Sequence, residues 1–148
     1  MRKVDRSLLH HGGDKAEAAV LVDEVLAKLT RLGYLDDEAY AETKARALHR
    51  RGGSLRVIRA TLSAKGVESE TSEAALTALA EETPVPDLVA AMALARRRRL
   101  GPYRPAEKRT DTRMKDLAAL GRAGFSWEIC RAVVEADSIE ALEQLLQL

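Results

Sequence analysis

The chain has 148 residues, a length that suits one domain or a short series of small helical repeats. Apolar residues make up 46% of it and charged residues 32%, a balance typical of a folded, soluble helical protein rather than a disordered one. No apolar run approaches the roughly 18–20 residues that a bilayer requires, and no signal-type segment opens the chain. We therefore expect a cytoplasmic protein without membrane contact. The lone cysteine, Cys130, excludes an internal disulfide and a zinc site built from cysteines.

One helix ending occurs three times: a leucine, three residues, a glycine and an apolar residue. The copies end in Gly33-Tyr34, Gly66-Val67 and Gly124-Phe125. The spacing matches a Schellman helix end, in which glycine takes a positive φ and the following residue packs on the leucine four positions before the glycine. A residue that can cap the next helix follows each copy: Asp36, Ser69 and Ser126. The sequence therefore predicts helix–turn–helix units in an array that presents a long surface to a partner.

Apolar residues at helical spacing predict helices along most of the chain, and no strand pattern stands out. The predicted fold class is all-α: tandem helical repeats, in three-helix units, that form an elongated, curved array. The predicted divisions are a basic, loose tail over 1–14, a first repeat over 15–50, a second repeat over 53–82, and an arginine-rich helix, third repeat and C-terminal helix over 87–148. Ser54 and Ser138 are expected to cap helices, and the arginine-rich helix is expected to end at Gly101-Pro102.

Positive charge is concentrated in one stretch although the net charge is only +1. Ten basic residues lie there: Arg96, Arg97, Arg98, Arg99, Arg104, Lys108, Arg109, Arg113, Lys115 and Arg122. A second basic set flanks Gly52-Gly53: Arg46, Arg50, Arg51, Arg56 and Arg59. No lysine or arginine occurs between Gly66 and Ala95. This segregation predicts an oriented electrostatic surface.

The basic residues have two interpretations. They could contact an acidic partner or a phosphate backbone. Alternatively, the run Arg96–Arg99 compensates a helix dipole, at about 0.3–1 kcal/mol per cation, and the other cations belong to solvated faces. One or two cations would satisfy the dipole and four exceed it, so we favour partner binding for the run. For the set around Gly52-Gly53 we favour a solvated turn.

No residue pattern predicts catalysis. Asp36-Asp37 is better explained by Asp36 as a helix N-cap than by a metal site, because adjacent helical residues diverge. His10, His11 and His49 have no partners at ligand spacing, and Cys130 is expected to be a small buried core residue. Trp127 is expected to pack beneath its repeat, with partial exposure at an interface as the alternative. We expect a non-enzymatic protein without cofactor or metal.

Three blocks in order resemble the RecX family. Gly33-Tyr34-Leu35-Asp36-Asp37 followed by Tyr40-Ala41 is similar to its first block, and residues 53–67, from Gly53-Ser54-Leu55 to Lys65-Gly66-Val67, to its second. Arg122-Ala123-Gly124-Phe125-Ser126 is similar to the third block, and residues 97–103 resemble a run common in alphaproteobacterial members. The resemblance covers roughly residues 20–136. Family members usually carry another helical stretch before the first block, so we expect an N-terminally shortened member.

The resemblance implies a fold of tandem three-helix repeats and a function in regulating recombination. It implies a partner, the nucleotide-bound RecA recombinase filament on single-stranded DNA, whose strand exchange, ATP hydrolysis and co-protease activity the protein restrains from within the filament groove. Whether DNA is contacted directly is left open. Two alternatives remain: a helical nucleic-acid-binding module that acts without RecA, and a helical scaffold without a regulatory role.

Overall fold

The computed structural model describes residues 36–147 and, before them, residues 21, 22, 24 and 25. The chain divides into two compact units, Met1–Asp37 and Glu38–Leu148. Residues 21, 22, 24 and 25 are helical, within the first repeat predicted over 15–50. The predicted tail over 1–14 and the predicted turn at Gly33-Tyr34 lie outside the described residues.

All regular structure in this part of the chain is helical and it contains no strand, which confirms the all-α class. The helices are α1 (Asp37–Arg50), α2 (Leu55–Ala64), α3 (Ser69–Glu82), α4 (Pro86–Arg98), α5 (Arg109–Arg122), α6 (Trp127–Val134) and α7 (Ile139–Gln144). Single 3-10 turns occupy Gly101–Tyr103, Ala106–Lys108 and Leu145–Gln147. Among the described residues no helix is long and apolar enough to cross a membrane.

Helices α1 to α3 close around a core of small and aliphatic side chains. Its buried members are Ala41 and Ala45 of α1, Ile58 and Leu62 of α2, and Ala75, Leu76 and Leu79 of α3. This core groups α1 with α2 and α3, whereas the sequence analysis places α1 in a first repeat that ends at residue 50. The repeat boundaries given in the sequence analysis stay predictions.

Helices α4 to α7 enclose a second core. It takes leucine and alanine from α4, Leu117 and Leu120 from α5, Cys130 and Val133 from α6, and Leu142 from α7. Phe125, in the turn between α5 and α6, is also buried in it. With one phenylalanine in the whole chain, close approach of helices through small residues replaces bulky aromatic packing.

The turn over residues 51–54, between α1 and α2, joins the two cores, and we call it the joint. Gly52 lies so close to α4 that a Cβ atom on it would be 2.8 Å from Leu94 Cβ. Ser54 Oγ accepts from the Val57 amide at 3.1 Å, which caps α2, and donates to the Ala123 carbonyl at the end of α5, also at 3.1 Å. Buried Ser54 therefore ties a helix of the first core to a helix of the second.

Two further hydrogen bonds cross from the first core to the start of α4. His49 Nε2 donates to the carbonyl of Pro86 at 2.7 Å, and the amide of Leu55 donates to Asp87 Oδ1 at 2.9 Å. His49, which the sequence leaves without a role, is buried at this crossing.

The predicted Schellman ends at Gly66 and Gly124 are confirmed. Gly66 has a φ of +83°, and the amide of Val67 donates to the carbonyl of Leu62 at 3.0 Å. Gly124 has a φ of +96°, and the amide of Phe125 donates to the carbonyl of Leu120 at 3.3 Å. Gly52 ends α1 in the same way, since the amide of Gly53 donates to the carbonyl of Leu48 at 2.9 Å.

Helix α4 has a Schellman end that the sequence pattern missed. The predicted end at Gly101-Pro102 is wrong: α4 ends at Arg98, and Arg99 takes the left-handed position with φ 56° and ψ 59°. The amide of Leu100 donates to the carbonyl of Ala95 at 2.8 Å, and Leu100 is buried as the apolar residue of the motif. Buried Leu100 supplies the apolar contact that the motif requires, although the glycine is missing.

Three of the serine caps predicted from the sequence are confirmed. Ser54, Ser126 and Ser138 each accept a hydrogen bond from the amide three residues later. The predicted cap at Ser69 is wrong, because Ser69 is already the first helical residue of α3 and Glu68 occupies the capping position without a side-chain bond. Asp36 directly precedes α1, the position expected of its N-cap.

The glycine ends differ in the space around them, which gives a graded prediction. Nothing lies within 4 Å of a Cβ added to Gly66, so Gly66→Ala should cost about 1 kcal/mol from the positive φ alone. A Cβ on Gly124 would lie 2.6 Å from Ser54 Oγ, so Gly124→Ala should cost about 2–4 kcal/mol. Urea unfolding of both variants measures the difference, and equal costs would contradict the packing at the joint.

Ser54→Ala should destabilise the protein more than the loss of a cap alone. It removes the cap of α2 and leaves the carbonyl of Ala123 without this donor, for an expected loss of about 2 kcal/mol. Ser138→Ala removes only the cap of α7 and should cost about 1 kcal/mol. Thermal and urea unfolding measure both variants, and a Ser54→Ala cost no larger than the Ser138→Ala cost would rule out a joining role for Ser54.

Candidate partner-binding surface

The arginine run lies at the exposed end of α4. Arg96, Arg97 and Arg98 form its last turn, and Arg99 follows in the left-handed conformation. All four are exposed, and none forms an ion pair within the part of the chain that the structure describes. Because Arg99 leaves the helix, the helical spacing that would put it on one face with Arg96 does not apply.

The joint brings further cations toward this run. Arg50 and Arg51 precede Gly52, which lies against Leu94, one helical turn before Arg98. Both are exposed and without an ion pair among the described residues. Two members of the set that the sequence interprets as a solvated turn, Arg50 and Arg51, therefore have their backbone close to the second half of α4.

Arg56, near the start of α2, lies close to the turn that follows α5, the helix that ends at Arg122. A Cβ on Gly124, two residues after Arg122, would lie 3.7 Å from the Cβ of Arg56. Both arginines are exposed, and neither has a carboxylate partner in the described ranges. Lys108 and Lys115 of the predicted basic stretch are likewise exposed and have no ion pair there. We call the exposed cations of the two basic sets that have no ion pair there the basic surface: Arg50, Arg51, Arg56, Arg96, Arg97, Arg98, Arg99, Lys108, Lys115 and Arg122.

Three other predicted contact residues form ion pairs within the fold. Arg46 pairs with Glu82 at 2.6 Å, Arg59 pairs with Glu73, and Arg113 pairs with Glu135. The side-chain hydrogen bonds from these arginines lower the pKa of Glu82, Glu73 and Glu135. All three pairs are well exposed and screened by water, so they remain weak contributors to stability.

Arg109 holds the backbone rather than a carboxylate. Its guanidinium donates to the carbonyls of Pro102 at 3.0 Å, Asp137 at 2.9 Å and Arg104 at 3.4 Å. These carbonyls come from the segment after α4 and the segment after α6, so Arg109 fastens two loops to the start of α5. Its guanidinium is therefore occupied by hydrogen bonds within the protein.

Arg104 also acts inside the fold. Its guanidinium makes a two-pronged contact with Asp116, at 2.9 Å and 2.8 Å, and the amide of Gly101 donates to the same carboxylate at 2.9 Å. Asp116 is 1% exposed. Burial raises the pKa of this carboxyl, but the hydrogen bonds from Arg104 and Gly101 outweigh it and leave the pKa below its ordinary value.

The described residues hold no group of three or more His, Cys, Asp or Glu arranged to bind a metal. Asp36 and Asp37 stand at the start of α1, and His49 is engaged with the carbonyl of Pro86. His10 and His11 lie outside the described residues. Cys130 is 1% exposed, as predicted, and burial raises the pKa of its thiol, so little thiolate forms at neutral pH.

An open groove of about 540 Å³ lies beside α6, on a surface that the sequence did not predict. Trp127 and Leu145 line it together with acidic Glu128 and Asp137. Trp127 is 57% exposed, so the prediction that it packs beneath its repeat is wrong. Trp127 is the first residue of α6, and Cys130, about one turn later, is buried in the second core.

Fold and surface together define a class: an all-helical protein with a three-helix core, a second helical core and unpaired arginines at their junction. The second three-helix domain of RecX matches residues 36–76, which contain α1, α2 and the first part of α3. The chain is 44% identical over 138 residues to the regulatory protein RecX of Myxococcus xanthus, a match that spans 93% of this chain and 73% of that protein. The chain therefore belongs to the RecX family, which confirms the resemblance carried by the three sequence blocks.

Two further relatives are also named regulatory protein RecX. That of Agrobacterium fabrum is 45% identical over 112 residues, covering 76% of this chain and 57% of that protein. That of Thermobifida fusca is 31% identical over 123 residues, covering 81% and 65%. The chain thus spans between 57% and 73% of the length of these three relatives. No solved structure matches it.

Asp116→Asn should cost about 3 kcal/mol, because it leaves Arg104 without its buried counter-ion. The native pKa of Asp116 is lowered, so its carboxylate stabilises the fold above the unfolded pKa of about 3.9, and this stabilisation is lost as the pH falls through the lower native pKa. Urea unfolding should show a constant gap between wild type and variant from pH 8 to pH 5 that narrows below about pH 4. A gap that widens in acid would contradict the assignment.

Proposed function

We propose that this protein is a non-enzymatic regulator that binds the RecA recombinase filament and inhibits its recombinase, ATPase and co-protease activities. Membership of a family whose relatives are named regulatory proteins supports the regulatory role. The observation that carries the binding proposal is the basic surface, above all the run Arg96–Arg99. Unpaired guanidinium groups on a fixed helix end suit a partner that presents carboxylates or phosphates.

The proposed mechanism is steric and mechanical. Two helical cores fastened at the joint place the basic surface on a rigid body. A rigid body that docks across neighbouring recombinase subunits blocks the approach of duplex DNA or of a repressor. It also resists the movement between subunits that accompanies ATP hydrolysis. Cytoplasmic location follows from this partner and is part of the proposal.

A second candidate function is a nucleic-acid-binding module that acts without the recombinase. The same exposed arginines favour it, because cations that neutralise phosphates bind DNA through counterion release. It predicts tight binding to naked DNA that weakens steeply with salt. The chain has only five aromatic residues, which disfavours a binder that stacks single-stranded bases.

Two measurements separate these functions. The first is recombinase ATPase activity on single-stranded DNA with a substoichiometric dose of this protein, which the proposal expects to fall. The second is cosedimentation with the recombinase–DNA filament, with and without nucleotide, beside binding to naked DNA. An unchanged ATPase rate together with tight naked-DNA binding would replace the proposed function with the second candidate.

Replacing Arg96, Arg97 and Arg98 together by glutamine should weaken filament binding by about 10-fold or more, through lost electrostatic attraction. Circular dichroism should show a folded protein, because no ion pair of the described residues involves these side chains. The matched control replaces Arg46, Arg59 and Arg113 by glutamine, which removes the same charge from arginines that pair within the fold. Equal losses in both triple variants would assign the binding to net charge rather than to the run.

A further inference from the structure

Arg99 occupies a backbone position that glycine fills elsewhere in the described chain. Four helices there end in the same pair of backbone hydrogen bonds, and the left-handed residues are Gly52, Gly66, Arg99 and Gly124. At Arg99, φ is 56°. Residues with a Cβ resist this conformation, so glycine would make the end of α4 more stable.

The other non-glycine residue with positive φ in the described part stands at the beginning of a helix rather than at its end. It is Val85, with a φ of 46°, between Pro84 and Pro86. Its carbonyl accepts from the amides of Leu88 and Val89 and so begins α4. Arg99 has no side-chain hydrogen bond or ion pair among the described residues, so no contact within them explains an arginine at this position.

The backbone of Arg99 is held on both sides. Its amide donates to the carbonyl of Arg96 at 3.4 Å, and the next residue, Leu100, is buried in the second core. Beyond Leu100, the amide of Gly101 donates to buried Asp116 at 2.9 Å. The direction in which the Arg99 side chain leaves the backbone is therefore fixed, while its guanidinium is exposed to a partner.

General charge attraction does not require an arginine at this position. Arg96, Arg97 and Arg98 already supply exposed positive charge beside it. Binding by counterion release depends on how many charges are neutralised, and hardly on which residue carries them. A strained arginine on a fixed backbone instead fits a contact that depends on direction, and the planar guanidinium fork matches a carboxylate through two parallel hydrogen bonds.

From this geometry we infer that Arg99 makes a two-pronged contact with a carboxylate on the recombinase protein of the filament. This inference rests on the proposed function and names the chemistry of one contact within it. Arg96, Arg97 and Arg98 supply the attraction around that contact, and Arg99 fixes the orientation of the docked protein.

The test compares Arg99→Lys with Arg97→Lys in the full chain. Both variants keep the charge, and Arg99→Lys keeps a residue with a Cβ at the strained position, so thermal unfolding should be unchanged in both. Arg99→Lys removes the fork and should weaken binding to the recombinase–DNA filament about 10-fold, whereas Arg97→Lys should stay within about 2-fold of wild type. Equal affinities for the two variants would overturn the inference.

Arg99→Gly tests the strain itself. The variant should unfold about 2–4 °C higher than wild type and bind the filament at least as weakly as Arg99→Lys. A melting temperature at or below that of wild type would remove the premise that this position carries strain. A more stable variant that binds as tightly as wild type would overturn the contact.

The outcomes also distinguish this inference from the function it rests on. A wild-type protein that leaves the recombinase ATPase unchanged and does not cosediment with the filament overturns the proposed function, and the inference with it. A wild-type protein that inhibits, together with an Arg99→Lys variant that inhibits equally, overturns the inference alone. If Arg99→Lys weakens binding to naked single-stranded DNA as much as to the filament, the partner group is a phosphate and the carboxylate contact is wrong.

Discussion

The rest of the fold depends on the contact between the joint and the second core. Two separate cores meet there through a small set of groups: Gly52 against Leu94, and Ser54 between the start of α2 and the end of α5. A Cβ on Gly52 would lie 2.8 Å from Leu94 Cβ, and a Cβ on Gly124 would lie 2.6 Å from Ser54 Oγ, so neither glycine has room for a side chain. The positions of the unpaired arginines relative to one another follow from this contact. Any movement at the joint would therefore change the distances between the arginines of the basic surface.

The sequence was sufficient where structure depends on neighbours along the chain. Gly66 and Gly124 end helices as the spacing predicts, and Ser54, Ser126 and Ser138 cap them. It failed at Arg99, because the glycine that marks a left-handed residue is absent there. The structure reveals the motif through the φ of 56° at Arg99 and the hydrogen bond from the Leu100 amide to the Ala95 carbonyl. It failed at Ser69, because a serine near a helix start can be the cap or the first helical residue. The sequence pattern does not distinguish these two positions, and the structure places Ser69 in the second.

The candidate surface was only partly predictable for a related reason. Whether an arginine is free depends on carboxylates far away in sequence. Arg46 finds Glu82, 36 positions later, and Arg104 finds buried Asp116, 12 positions later. The sequence identified the basic stretch from the positions of its charges, but it could not separate the cations that pair within the fold from those left unpaired. The joint, which brings Arg50 and Arg51 beside α4, was likewise invisible to local spacing.

Burial of Cys130 has a practical consequence. It is the sole cysteine of the chain, lies in the second core at 1% exposure and has a raised thiol pKa. Maleimide dyes react with thiolates that reach solvent, so the folded native chain presents them with little to modify. A cysteine introduced on the exposed face of any helix would become a unique attachment point without prior removal of the native one. Distances from such dyes to a labelled binding partner could then be measured in an otherwise unaltered protein.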